Sequence, residues 1–162
     1  MKTLPHIVAV LLGLVTTLCA QTQNRPSYGV AITLEQAKKV VSSAEAEARK
    51  NEWNVVIAIV DTGGNLVVLQ RMDDTQIASI TVAQQKAWSA AGYRRSTKTF
   101  EDGVAAGPAG ARLLALHGAM PVEGGLPIVV NGRIIGAIGV SGVTSQQDGQ
   151  IANAGLGALA QP

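Results

Sequence analysis

Residues 124–142, GGLPIVVNGRIIGAIGVSG, constrain the fold of this chain more than any other stretch. Two apolar runs, 126–130 and 134–140, are rich in Val and Ile, which suit a pleated and half-buried surface. Between them stands Asn131-Gly132, a dipeptide that tolerates positive φ at both central positions of a two-residue turn. The segment therefore predicts a β-hairpin. Gly136, Gly139 and Gly142 are spaced by three, so on a strand 136 and 142 face one way and 139 the other. Glycines so placed let a helix, a subunit or a flat ligand lie close against the strand.

The rest of the chain supplies partners for that hairpin. Thr33-Leu34-Glu35-Gln36 fits a capping box, with Ile32 as its staple residue. The following helix puts Ala37, Val40, Val41, Ala44 and Ala48 on one face. Residues 55–60 read as a strand, Asp61-Thr62-Gly63-Gly64-Asn65 as a turn, and 66–70 as the returning strand. A helix over 79–91 carries the small residues Ala83, Ala87, Ala90 and Ala91. A short helix follows Thr97, and another starts at Pro108 and runs through Leu113, Leu114 and Leu116 to His117, with Gly118 as its stop. Thr144 or Ser145 caps a last helix through Ala152 and Leu156 to Leu159. Two hairpins imply antiparallel pairing, so these elements form one α+β domain rather than a doubly wound parallel sheet.

The N-terminus reads differently. Lys2, the nearly all-apolar run 7–18 and Leu18-Cys19-Ala20 match a signal peptide cut after Ala20, leaving 21–31 as a flexible lead-in and 32–162 as the domain. The apolar run falls short of the ~20 residues a spanning helix needs, so no stable membrane anchor is expected. Leu18 stands where a lipidated cysteine would want a small residue. The expected location is periplasmic or secreted. Removing Lys2 from the 13 Lys and Arg leaves 12 against 11 Asp and Glu, or +1. That is no footprint for nucleic acid. The chain's one cysteine, Cys19, leaves with the signal peptide, and with it go disulfides and thiolate chemistry. Few charges and many Ala and Gly suggest a surface partly covered by other subunits.

Several chemistries find little support. The glycine spacing is not that of a phosphate loop. Gly139-Val140-Ser141-Gly142-Val143 lacks the last glycine of a nucleophile elbow, and nothing orders Ser141, His117 and Asp61 or Asp148 around one another. One histidine in the mature chain builds no typical zinc site, and Asp73-Asp74 reads as a solvated turn. Haem asks for less: a flat apolar cleft, one or two axial ligands and cations for its propionates. His117, Tyr28, Tyr93, Met72, Met120 and the oxygen of Thr97 are candidate ligands, and Arg94, Arg95 and Lys98 form the basic cluster. Each has a plainer reading as well, Met72 as core filler, Tyr93 and Trp88 as core or interface, the cations as a solvated helix end.

Asp61-Thr62-Gly63-Gly64-Asn65-Leu66, Arg71-Met72-Asp73, Lys86-Ala87-Trp88-Ser89-Ala90, Thr97, Gly124-Gly125-Leu126-Pro127-Ile128, GAIGVSG and Asp148 occur in an order that resembles the GlcG/HbpS family of small haem-binding proteins. The resemblance implies a single α+β domain with an antiparallel sheet of about five strands and helices on both faces, profilin-like. It also implies homo-oligomers, octamers in the haem-binding branch, and a role at the haem iron for the position matching Thr97. The histidine that some relatives carry near the start of the first helix is absent, and so is a Glu-x-x-Glu iron motif. The expected function is that of an exported, non-enzymatic haem- or tetrapyrrole-binding protein in haem handling or sensing, with Thr97 or His117 near the iron and Arg94, Arg95 or Lys98 near the propionates. The alternatives are an accessory protein or enzyme for a small hydroxy acid, and an oligomeric interaction protein with no ligand.

Overall fold

The structure, a computed structural model, describes residues 25–159; the expected signal peptide and residues 21–24 lie outside them. The elements are β1 (Ser27–Tyr28), α1 (Leu34–Lys50), β2 (Val56–Asp61), β3 (Leu66–Arg71), α2 (Ser79–Tyr93), α3 (Lys98–Ala105), a 3₁₀ helix (Pro108–Ala115), β4 (Gly125–Val130), β5 (Arg133–Ser141) and α4 (Ser145–Gly157). α1 and α4 start by the same device. Gln36 N donates to Thr33 Oγ1 at 3.2 Å while Thr33 N donates to Gln36 Oε1 at 3.0 Å. Thr144 and Gln147 repeat the exchange at 3.4 and 3.2 Å. Each box satisfies two amide groups that a helix start otherwise leaves unpaired.

β5 is the hub of the sheet. β2 runs antiparallel to it over 136–141, β4 runs antiparallel over 133–139, and β3 extends outward from β2. Asn131 and Gly132 adopt φ of 50° and 71°, so the β4–β5 turn has the two positive angles its sequence predicts. The sheet is mixed rather than wholly antiparallel, because β1 joins β5 in parallel at Arg133 and Ile134. Part of the stretch read as a lead-in is therefore docked: Gly29 N donates to Ile134 O at 2.7 Å, and Tyr28 Oη donates to Ala91 O at 2.8 Å. A two-residue strand bounded by Pro26 and Gly29 is too short to show a periodicity.

Helices cover both faces. Ile57, Ile59, Ile138 and Val140 pack with Ala37, Val40, Val41, Ala44 and Ala48 of α1 and with Ile151 and Ala152 of α4. Val56, Ala58, Val60 and Ala137 on the other face meet Ala83, Ala87, Ala90 and Ala91 of α2. This second layer is made of alanines because α2 lies almost on the sheet backbone. A Cβ at Gly139 would lie 2.5 Å from Ala87 N and nearer still to the Ala83 carbonyl, whereas Gly136 faces Ile32 on the opposite side.

The segment after α3 departs from expectation. The chain from Pro108 forms a 3₁₀ helix that stops at Ala115, short of His117, and none of its side chains is buried. Its seat on α3 is made by close backbone contact, since a Cβ at Gly110 would strike the Gly103 carbonyl, and by the Leu113 side chain lying against Gly103. With Leu114 61% exposed, no apolar face exists to support a longer α-helix.

A buried ion pair joins the layers. Lys86 Nζ of α2 donates to Asp148 Oδ2 of α4 at 2.8 Å and to Val140 O of β5 at 3.0 Å, with the two side chains only 1% and 3% exposed. Asp148 Oδ1 also accepts from Val143 N at 3.3 Å. Burial pushes the Asp148 carboxyl above its ordinary 3.8, against the pull of the Lys86 ammonium. Ionising it therefore costs folding free energy, and the pair fixes geometry more than it adds stability.

Two measurements test this packing. By urea unfolding, Gly139→Ala is expected to lower stability by about 1–3 kcal/mol or more, while Gly157→Ala, with open space around its Cβ, is expected to cost nothing. Lys86→Met and Asp148→Leu are each expected to cost about 3–5 kcal/mol, and the double variant much less than their sum. Additive losses would mean that the two charges do not act as a pair.

Candidate functional site

The flank of α2 beside its alanine stripe carries Gln84, Gln85 and Trp88, with Trp88 four and three residues after the two glutamines and so a neighbour of both. With Val60, Gly64 and Leu66 they line a mainly apolar cleft of about 270 Å³. Trp88 is 37% exposed and Leu66 50%. The indole sits in a slot made by two turns. A Cβ at Gly64 would lie 2.7 Å from Trp88 Cδ1, and one at Gly118 would lie 2.8 Å from Cε3. Both glycines have positive φ, 82° and 69°, so these positions suit glycine twice over.

Around that indole stand the residues of the helix end and the following loop. The His117 ring meets Trp88 edge-on at 6.1 Å between centroids, and Tyr93 does so at 6.4 Å. Tyr93 Oη donates to His117 O at 2.6 Å, which holds the loop against α2. His117 itself is exposed. The turn beside Gly64 is organised by Asp61. Its Oδ1 accepts from Gly63 N at 2.8 Å and from Asn65 N at 2.9 Å, and its carboxylate also takes the Asn65 side-chain amide. The Asn65 amide, with the backbone donors and against a small burial effect, holds the Asp61 carboxyl below its ordinary 3.8.

The six residues singled out from the sequence do not all converge here. Arg94 caps α2 with its guanidinium carbon 5.6 Å from the Tyr28 ring, and Arg95 stacks 5.0 Å over Phe100. Lys98 is turned away, held by Asp102 at 2.7 Å one helical turn on. Met72 is 8% exposed and packs in the core on the α1 side of the sheet, which is the filler reading. Thr97 is fully buried. Its Oγ1 accepts from Gly125 N at 2.9 Å and its own N donates to Gly125 O at 3.0 Å. The hydroxyl clasps the start of β4, and Thr97 Cγ2 stands where a Gly125 Cβ would come within 2.6 Å.

The groups weighed for hydrolysis are also apart. Ser141 Oγ donates to Ser79 Oγ at 3.1 Å under α2, and Asp148 is held by Lys86, neither at His117. No group of three or more His, Cys, Asp or Glu that could hold a metal occurs among the described residues. Two features escaped the sequence reading. Lys86 stands on the buried alanine stripe of α2, and a lone charge among Ala83, Ala87 and Ala90 is a sign of a buried partner. The slot around Trp88 comes from glycines 64 and 118, distant in sequence, and carried no such sign.

Comparison with known proteins places these features in a lineage. A family model described as haem degrading protein HbpS-like matches residues 32–157. Protein GlcG of Escherichia coli K12 is 42% identical over 112 residues, covering 69% of this chain and 82% of that protein. The crystal structure of HbpS superposes with a TM-score of 0.75 at 29% identity, over 83% of this chain and 94% of that one. A PduOC:heme complex superposes with a TM-score of 0.72 at 29% identity, over 80% and 95%.

The Asp61 turn makes a pH prediction. A carboxylate with a depressed folded pKa stabilises at neutral pH and loses that contribution as pH falls through its folded value. The stability difference between the wild type and Asp61→Ala is thus expected to be constant above about pH 5 and to shrink below about pH 4. Urea unfolding across that range reads it, and a difference that grows on acidification would contradict the assignment.

Proposed function

The chain belongs to the HbpS-like family, and on that premise we propose that it binds haem without turning it over, as an oligomer and outside the cytoplasm. The observation carrying this reading is the Trp88 indole, held half-open in an apolar cleft with the His117 imidazole edge-on beside it. A flat tetrapyrrole would lie against Trp88 and Leu66, with His117 toward the iron and Arg94 and Arg95 toward the propionates. A neutral imidazole is a common iron ligand, and guanidinium forks match carboxylates. Thr97 is the weaker candidate, since its hydroxyl would have to release β4 first. The haem held by the PduOC relative supports the ligand class.

The size of the cleft bears on the oligomer. About 270 Å³ falls below the roughly 300–1,000 Å³ of sites that enclose a drug-sized ligand. A macrocycle seated there would leave one part uncovered, which favours a second protomer closing over it. The exposed side chains of Leu114 and Leu116 nearby are suited to such a contact.

Haemin titration of the purified protein tests the reading. A saturable Soret shift is expected, with affinity weakened about tenfold or more in His117→Ala and in Trp88→Ala. Thr97→Val should leave the affinity unchanged while costing about 1–3 kcal/mol of stability, because Gly125 N loses its acceptor. Absence of a saturable shift, or equal affinity in the His117 and Trp88 variants, would overturn it.

A further inference from the structure

Three arginines stand where the residues ahead of α1 cross the end of α2 and the start of β5. Arg133 Nη1 donates to Tyr28 O at 3.3 Å and to Ser27 Oγ at 3.4 Å. Arg94 stacks over the ring of the same tyrosine, and Tyr28 Oη is tied to Ala91 O. Arg95 follows directly, with its Nε toward Tyr93 O at 3.4 Å. Burial first, and then the nearby charge of Arg25, make the Arg95 guanidinium less willing to hold its proton. Two separate stretches of chain, the end of α2 and the start of β5, thus bring arginines to Tyr28.

Two features set this cluster apart from an ordinary solvated helix end. The ion pairs found among the described residues engage Lys39, Arg49, Lys50, Lys86 and Lys98, and none of them reaches Arg94, Arg95 or Arg133. The acids of α3 are otherwise occupied: Asp102 holds Lys98, and Glu101 accepts from Glu123 N and from Ser145 Oγ. Moreover, Arg94 takes φ of 53° at the C-cap of α2, where glycine or asparagine is preferred. The helix dipole favours a cation anywhere in the last turn and does not ask for one at the left-handed position. An arginine kept there against its backbone preference marks a use for its side chain.

We propose that Arg94, Arg95 and Arg133 form a binding site for a small, multiply charged oxyanion of the carboxylate or phosphate class, seated beside Tyr28. Guanidinium groups present paired N–H donors at the spacing of such oxygens, and their mutual repulsion is relieved when an anion enters. Arg94 and Arg95 are shared with the haem reading; Arg133 extends the cluster beyond it, and the site needs no haem.

Titration calorimetry and thermal melting of the purified protein with pyrophosphate and with citrate, against chloride at matched ionic strength, test the site. Saturable binding and a raised Tm are expected with at least one of the two anions. Arg94→Gln and Arg133→Gln should each weaken binding about tenfold, while Lys50→Gln, changed on the far side of α1, should bind as the wild type does. Arg94→Gly separates fold from site: without anion its Tm should equal or exceed that of the wild type, yet its affinity should fall. Phosphatidylglycerol vesicles form the second arm, since the same oxygens occur in a lipid headgroup. No saturable response to either free anion, or unchanged affinity in both glutamine variants, overturns the proposal. So does vesicle binding without any response to free anion, which would make the cluster a membrane contact.

Discussion

The Lys86–Asp148 pair is the constraint on which the arrangement of layers depends. α2 and α4 lie on opposite faces of the sheet, and their charges meet past its end, beneath Val140 O. That meeting demands that the backbone entering β4 pass through the same space. Gly124 does so at φ of 122°, and a Cβ there would lie 2.8 Å from Asp148 Cβ and 3.0 Å from Lys86 Nζ. Gly125 follows, clasped by Thr97 on both its amide and its carbonyl. One buried lysine thereby fixes the register of α2, the entry of β4 and the first turn of α4. A charge taken so far out of water is tolerated only when it is paired and hydrogen-bonded, as Lys86 is by Asp148 and Val140 O, and this makes the arrangement specific rather than strongly stabilising.

The cleft inherits its rigidity from that lock. Because Ala83, Ala87 and Ala90 press α2 onto Gly139 and Ala137, the helix has no freedom to roll, and the side carrying Gln84, Gln85 and Trp88 is fixed by default. The turn at Gly64 and the loop at Gly118 then close on the indole from two directions. A half-exposed tryptophan would otherwise be free to collapse onto its neighbours. Here it is held open by glycines that leave room for the ring and by an Asp61 network that stiffens one of the turns.

Much of this was legible in the sequence because the signals were local. The capping box at Thr33, a cap at Thr144 or Ser145, an Asn-Gly turn and the apolar stripe of α1 each depend on residues within four positions of one another; each appears in the structure, the cap resolving to a Thr144–Gln147 box. The alternation of Gly136, Gly139 and Gly142 between faces was a matter of strand geometry alone. What escaped was set by tertiary contact. β1 is a strand only because β5 offers it an edge, and the segment from Pro108 lacks an α-helix because, of its leucines, only Leu113 finds a partner, against Gly103. Thr97 carried a family role at iron, yet here its hydroxyl serves the backbone of Gly125. Met72 and Lys98 looked like site residues for their chemistry and were claimed by the core and by Asp102. The slot around Trp88 joins residues 64, 88 and 118, a combination that no window of sequence contains.

The two ends of α2 explain why the proposed binding chemistry gathers at one of them. Its first half is sealed by Ser79, Ser141 and the Lys86 pair, where every buried polar group among the described residues finds a partner. Its last turn is different. Tyr28 Oη reaches Ala91 O, Arg94 lies over the Tyr28 ring, Arg95 lies over Phe100, and Trp88 meets Tyr93 and His117 edge-on. An anion seated among the arginines would brace Tyr28 against the same turn that carries Trp88, so occupation of that cluster and of the cleft would be energetically linked. Linkage is reciprocal: whatever a bound anion adds to the affinity of the cleft, a ligand in the cleft must add to the affinity for the anion. A ligand with an apolar ring and its own carboxylates would satisfy both parts at once, which is why the two readings meet at Arg94.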